Sequence, residues 1–410
     1  CGTRRASDEE ELTPPLDDVL EAIELSRDEA SASFLERLFS RFNERVPFET
    51  ASKILRDAEV ADPAGKPRGP EVFWRDFLER GTGGTCYARV AAFDQLLSAL
   101  GFETRKALGR VEEDFDHAAL FVTAGGKEWV ADVGFPLPAL LPAAGGEAES
   151  GISPISAAAS PRGLDVRFLS GVPEGPRRLE IFREPVSDDD FLAQWRRTFR
   201  PGSRLLSAVS LQRRDAHRVL SFARGEVRVD DLHSRARIPL LSGRPRRLAD
   251  VFGIDEDVLV RAFSIVGDPE PEIRDARITA YLSTPGDAGH AFEAIGTPAG
   301  YRRLMEGVAD VAGEGWRFRF SPPGVAAAGF EEEVTPEPER ALAVRRRYAD
   351  GREVLLSFRA EVRGGETWLV REAVLSGARE DLLVNDSARG RLAGTLAVDL
   401  LAWSRLLSRS

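Results

Sequence analysis

The sequence predicts an α+β protein of two domains in tandem. The first has a helical bundle ahead of a β-rich segment and a mixed α/β segment. Three observations predict it. The chain has 410 residues, more than one ordinary core accommodates. Apolar residues recur at threes and fours up to about position 101 and alternate afterwards, so helices give way to strands. After the proline-bearing VGDPEPEI, a linker over 266–272, the order strand, helices, strands, helix begins afresh.

The elements follow in order. Residues 1–15 carry the acidic run DEEE and read as a flexible tail. LDDVLEAIEL, EASASFLERLFSRF and EVFWRDFLERG have helical spacing, the last stopped by Gly81. Residues 86–100 repeat it through Val90, Phe93, Leu97 and Leu100, with Gly101 as the stop. TRKALGRV, HAALFVT and EWVADVGF alternate as strands, and AAGGEAESG and AAASPRG are loops. DVRFLS, RRLEIF, SAVSLQRR, HRVLSFA and EVRV are further strands, interrupted by the helix DDDFLAQWRRTF and followed by the helix DEDVLVRAF. This divides the first domain, 16–265, into a helical part (16–101), a β-rich part (102–185) and an α/β part (186–265). The second domain, 273–410, runs from the strand RITAYLST through one or two helices in AGHAFEAIGTPAGYRRLMEGV to four strands. It closes on the helix SARGRLAGTLAVDLLAWSRLL.

Composition narrows the function. A net charge of −11 argues against a general nucleic-acid surface, which needs a basic face. No apolar run approaches the roughly 18–20 residues of a membrane span. Two cysteines and four scattered histidines give neither a disulfide framework nor paired zinc-ligand spacing. A reduced, cytoplasmic, metal-free protein is expected. Only four lysines among 56 basic residues suggest a GC-rich bacterial genome. The start Cys1-Gly2 leaves a lipid anchor through Cys1 as the alternative location.

The chemistry gathers at GTGGTCYARV. Thr85 reads as a helix N-cap and Cys86 as the first helical residue. There the free amides and helix dipole favour a thiolate, so the thiol pKa is expected to fall. Gly83 and Gly84 allow a sharp bend beside it. A buried structural thiol is the plain alternative. The stretch DHAALFVTAGGKEWVADVGF then reads as a hairpin turning at Gly125-Gly126. That register opposes His117 to Gly134 and Ala119 to Asp132. Side chains alternate faces, so His117 and Asp132 become diagonal neighbours within hydrogen-bond reach. Cysteine, histidine and aspartate so placed suit nucleophilic catalysis: the imidazole takes the thiol proton and the carboxylate orients the ring.

These segments resemble the arylamine N-acetyltransferase family, whose pattern is roughly R-G-G-x-C-[FY]-E, a histidine opening a strand, and D-V-G-F-G. The matching residues are TGGTCY, DHAALFV and WVADVGFP. RVPFET is similar to the family's I-P-F-E-N, and LLSALGFETRKALGRV to its L-x-x-L-G-F segment. Over about 16–265 the resemblance implies a cysteine-protease-like fold of helical bundle, β-barrel and α/β lid. It implies catalytic roles for Cys86, His117 and Asp132, with Phe48, Gly134 and Phe135 lining the substrate and cofactor site. It also implies acetyl-CoA or another acyl-CoA as donor and an amine, hydrazine or hydroxylamine as acceptor. Four positions depart from the pattern. Thr82 replaces the arginine before Gly-Gly and Ala88 the glutamate after the aromatic residue. Val90 stands two positions later where a polar residue is usual, and Pro136 replaces a glycine on the coenzyme path. Glu49 is thereby expected to lack its arginine partner.

The order of elements after residue 272 is similar to the helix-grip fold of the START and Bet v 1 superfamily. That implies a curved sheet around a long C-terminal helix and a possible hydrophobic ligand, with His290 and Trp403 as residues that could line the cavity. Three functions follow: an acyl-CoA-dependent N-acyltransferase, a transglutaminase- or papain-like hydrolase or amide synthase on the same triad, and a non-catalytic hydrophobic-ligand-binding protein.

Overall fold

The structure is a computed structural model. It describes residues 15–148, 155–168, 177–214, 217–268, 270–306, 310–321, 330–338, 341–348, 351–363, 366–376, 379, 382 and 386–407. Cys1 and all but the last residue of the expected tail lie outside them. The chain divides into two compact units. The first draws on the stretches up to Gly225 and on Ser242–Glu270, the second on Glu226–Leu241 and Pro271–Ser410.

In the first unit, helices α1 (Leu16–Ala22), α2 (Ala32–Arg45), α3 (Ala51–Glu59), α4 (Pro70–Arg80) and α5 (Cys86–Ala99) come first, with a short strand β1 (Phe48–Glu49). α2 starts where Ser31 Oγ accepts the Phe34 amide (3.2 Å). Its stripe Phe34, Leu35, Leu38, Phe39 and Phe42 is buried. Pro70 opens α4, and Gly81, at φ +65°, closes it. A side chain at Gly81 would run into the Gly253 carbonyl. α5 is buried on every face from Cys86 to Phe93, so it is the central helix of the unit, not the one-sided helix its spacing suggests.

The β-rich part follows. Strands β2 (Glu103–Arg110), β3 (Asp114–Ala124), β4 (Lys127–Ala131), β5 (Leu141–Pro142), β6 (Gly146–Ala148), β7 (Ile155–Ala159), β8 (Gly163–Phe168) and β9 (Arg177–Phe182) form one antiparallel sheet. Its order is β5-β4-β3-β2-β9-β8-β7-β6. β5 lies against β6, so the sheet curls into a nearly closed barrel. Gly125 and Gly126 have φ of +59° and +73°, as the tight hairpin turn requires. Leu120 pairs with Ala131 and Ala124 with Lys127, which is the register read from the sequence. β4 ends earlier than read. After Ala131 the chain turns, because Asp132 Oδ1 accepts the Phe135 amide (2.8 Å) and the Asp132 carbonyl accepts that of Leu137 (3.0 Å).

The unit closes with α6 (Asp188–Arg197), β10 (Leu211–Arg214), β11 (Arg218–Ala223), α7 (Arg244–Phe252) and α8 (Glu256–Val266). β10 pairs with both β1 and β11.

The second unit is an antiparallel sheet ordered β12-β13-β14-β20-β19-β18-β17-β16-β15. Its strands are β12 (Glu226–Asp231), β13 (Ser234–Pro239), β14 (Ala276–Thr284), β15 (Asp310–Glu314), β16 (Arg317–Ser321), β17 (Phe330–Glu337), β18 (Ala341–Tyr348), β19 (Glu353–Arg363) and β20 (Glu366–Leu375). Two helices, α9 (Ala288–Glu293) and α10 (Pro298–Glu306), follow β14, and a long C-terminal helix (Asp386–Leu407) packs on β14 and β20. β12 and β13 precede the expected linker, yet β13 pairs with β14 through Ala236 and Ile278, which places this hairpin in the second unit.

Candidate active site

Cys86 is the first residue of α5 and is 4% exposed. Thr85 stands at the N-cap in extended conformation, but its side chain accepts no capping bond; only its place before the helix matches the expectation. The bend into α5 is crowded by chain. Gly84 bridges Phe48, and the Glu49 amide donates to the Gly84 carbonyl (3.2 Å). A side chain at Gly83 would overlap the Pro47 carbonyl. The glycines therefore admit the segment that brings half-buried Phe48 beside the start of α5.

β3 carries His117 and the turn after β4 carries Asp132, both buried. His117 Nε2 and Asp132 Oδ2 are 2.7 Å apart. The Cys86 thiol is close enough to the same imidazole to act on it electrostatically, and its sulfur lies 3.7 Å from the Asp116 carbonyl. Gly134 fits between them: a Cβ there would lie 2.9 Å from Cys86 Cβ and 3.1 Å from His117 Cε1, and would strike the Ala118 carbonyl. Phe135 stands edge-on to the imidazole, with centroids 6.4 Å apart. Burial by itself would lower the His117 pKa. The Asp132 carboxylate, by charge and hydrogen bond, and then the Cys86 thiol outweigh it and raise the value to about 10. Its surroundings thus favour the protonated ring.

A stability consequence follows. A histidine whose folded pKa exceeds its unfolded value stabilises the fold fully below the unfolded value, and that contribution is lost as pH rises through the folded one. Wild type should therefore exceed His117→Gln in stability by most near pH 6. The margin should shrink steadily towards pH 10 in urea titrations across the range. A margin independent of pH would mean that His117 is not held as the imidazolium.

Three further residues support the site, and sequence reasoning gave none of them a role. Arg89 is fully buried. Its Nε donates to the Val133 carbonyl (2.7 Å), its Nη2 to Asn43 Oδ1 (2.8 Å) and its Nη1 to the Val46 carbonyl. Tyr87 donates to the Phe115 carbonyl (2.6 Å). Phe115 sits at φ +68°, a strained conformation for a bulky residue, two positions before His117. The third corrects an expectation: Glu49 does have an arginine beside it. Arg68, from the loop before α4, lies 3.9 Å from Glu49. It donates to Thr82 Oγ1 (3.1 Å), Asp76 (2.9 Å) and the Gly83 carbonyl. The cation missing at position 82 arrives from position 68. Tyr after Cys86 was a visible signal; Arg68 and Arg89 carried none.

Among the described residues, no group of three or more His, Cys, Asp or Glu side chains could hold a metal ion. No helix there is long and apolar enough to cross a membrane.

A family model for N-acetyltransferases matches residues 32–152, which span Cys86, His117 and Asp132. The Nocardia farcinica arylamine N-acetyltransferase superposes with a TM-score of 0.54 at 20% identity, over 62% of this chain and 95% of that one. The Mycobacterium marinum arylamine N-acetyltransferase, solved in complex with CoA, gives 0.53 at 19% identity, over 61% and 99%. The N-terminal part of the chain has the arylamine N-acetyltransferase fold. Among curated proteins, the Proansamycin X synthase of Amycolatopsis mediterranei is 31% identical over 100 residues, which are 23% of this chain and 37% of that protein. The chain thus aligns with little more than a third of that relative. Within the arylamine N-acetyltransferase fold, α5, β3 and the turn after β4 are the elements that bring Cys86, His117 and Asp132 together.

Proposed function

We propose that the protein is an N-acyltransferase that carries its acyl group as a thioester on Cys86. The carrying observation is the buried His117 imidazole set between the Asp132 carboxylate and the Cys86 thiol. His117 takes the Cys86 thiol proton as the reaction begins, and Asp132 holds the resulting imidazolium. The thiolate attacks the carbonyl of an acyl thioester and forms the new C–S bond. The donor's thiolate leaves and takes the proton from His117. An amine, hydrazine or hydroxylamine then attacks the Cys86 thioester and passes a proton back to His117, and the Cys86 thiolate departs. Amides at the start of α5, including that of Cys86, stabilise the oxyanion in both halves. Asp132 fixes the ring, and Phe48, Gly134 and Phe135 shape the space around it.

Acetyl-CoA or another acyl-CoA is the donor in this reading, consistent with the CoA complex of the Mycobacterium marinum enzyme. A second reading, an amide synthase on the same residues, has support of its own. One relative is named a synthase, and Pro136 puts a ring without an N–H where the family has a glycine. Its carbonyl is tied to Arg214. In this reading the second unit, with two helices after β14 and a long helix packed on β14 and β20, is a helix-grip domain that takes a hydrophobic ligand. Trp403 there is fully buried and donates to the Ala291 carbonyl (2.7 Å), so it acts as core.

Intact-mass measurement separates the readings. Mixed with acetyl-CoA and no amine, the protein should gain one acetyl mass, absent in Cys86→Ala. Labelling by an acetyl thioester of a small thiol but by no acyl-CoA, in wild type and Pro136→Gly alike, would transfer the assignment to the synthase reading. Labelling by neither would end both.

A further inference from the structure

A narrow cleft of about 20 Å³ lies at the start of α5, with Gly84, Thr85 and Ala88 along one side. Four basic side chains line it: Lys53, Arg56, Lys66 and Arg68. No carboxylate lines it among the described residues. Two of the cations are neutralised, Lys66 by Asp57 (2.6 Å) and Arg68 by Asp76 (2.9 Å).

The other two are not. Lys53 is 5% exposed. Its ammonium donates to Thr198 Oγ1 (2.5 Å) and stands 4.4 Å from the Phe199 ring centroid. No described carboxylate pairs with it, and an ammonium has three donors to place. Arg56 gives Nη2 to the Gly65 carbonyl (2.7 Å), while its buried Nε has no partner. Burying a cation without a counter-ion costs several kcal/mol. One buried and one half-buried cation with no carboxylate in ion-pair reach among the described residues, in a chain of net charge −11, make the cleft suited to an anion. The volume is little more than one water needs, so only the end of a small anionic group enters it and a diphosphate does not. The cleft flanks the nucleophile on both sides in sequence, and the charge of Cys86 acts on Lys53.

We propose that this cleft is a carboxylate-binding subsite, in which Lys53 and Arg56 hold the far end of a carboxylate-bearing substrate whose reacting end is at Cys86. The assignment to a substrate rests on the acyl-transfer reading; the anion site itself does not. Burial lowers the Lys53 pKa to about 8 against the opposing charges of Cys86 and Asp57. The ammonium is therefore present at pH 7 and titrates away just above.

Succinate titrated calorimetrically into Cys86→Ala at low ionic strength tests the site, with succinamide as the uncharged control. Saturable binding of succinate alone is expected, weakening from about pH 7 to pH 9 in protein that retains Lys53. Lys53→Met and Arg56→Gln should each weaken it by about ten-fold or more, with melting curves showing both variants folded. Equal binding of the two compounds, or succinate binding unchanged in both variants, overturns the proposal. Kinetics then assign the carboxylate. Succinyl against butyryl thioesters of N-acetylcysteamine report on the donor, and β-alanine against propylamine on the acceptor. A preference for the anion in one pair, lost in Lys53→Met, is expected; a preference in neither overturns the substrate assignment. Failure of every thioester to acylate Cys86 would instead refute acyl transfer, while the calorimetry would still decide the anion site.

Discussion

Asp132→Asn is expected to slow acylation of Cys86 by about 10³-fold or more with little loss of fold. The carboxylate serves two donors at once: Oδ2 meets His117 Nε2 at 2.7 Å and Oδ1 accepts the Phe135 amide at 2.8 Å. An asparagine of the same shape cannot do both. If its oxygen keeps the Phe135 amide, its NH₂ faces His117 Nε2. The imidazole must then present a lone pair there and keep its proton on the nitrogen towards sulfur, so it no longer accepts the thiol proton. If the amide flips, the turn through Gly134 loses its anchor. Either way the counter-charge of the imidazolium is gone, burial is left as the main influence on His117, and its pKa must fall from about 10. Single-turnover acylation followed by mass, together with NMR titration of the His117 ring, checks both halves. A variant within about ten-fold of wild type, with the ring still protonated at neutral pH, would refute the role given to Asp132.

Residues whose placement follows from local periodicity were legible in the sequence. The two-residue turn at Gly125-Gly126 fixes the hairpin register as far as Ala131, so His117 and Asp132 could be read as neighbours even though Asp132 itself stands in the turn after β4. Cys86 before a run of helical spacing is equally local. What could not be read depends on distant segments. An arginine inside a helix, such as Arg89, looks like a solvated face until Asn43, Val46 and Val133 are known to converge on it. Arg68 sits in a proline- and glycine-bounded loop that gives no sign of reaching Thr82. SRARIP, the later β13, alternates arginine with small and apolar residues and hides its buried face. RPRRLADVF, the later α7, opens too basic for an obvious helix.

Arg89→Met is expected to destabilise the first unit by about 3–5 kcal/mol and, unlike Asp132→Asn, to do so at the level of the fold. The guanidinium is the sole described donor that joins α2, the Val46–Phe48 segment and the turn between Asp132 and Gly134. Methionine keeps the length and apolar stem but leaves the Val46 and Val133 carbonyls buried without that donor, each costing about 1–3 kcal/mol. It also removes the positive charge that Asp132 and Glu49 both feel. Burial has lowered the Arg89 pKa to about 9, with Asp132 and Glu49 opposing it, so the charge is present at pH 7. Arg89→Lys separates charge from geometry. It restores the cation without the planar fork, so it should recover only part of the stability, because one ammonium cannot reach three acceptors fixed around a guanidinium. Urea midpoints of the three proteins provide the measurement, with Cys86 acylation rates alongside. Stability of Arg89→Met within about 1 kcal/mol of wild type, or full recovery in Arg89→Lys, would show that the fork does not hold the turn that carries Asp132.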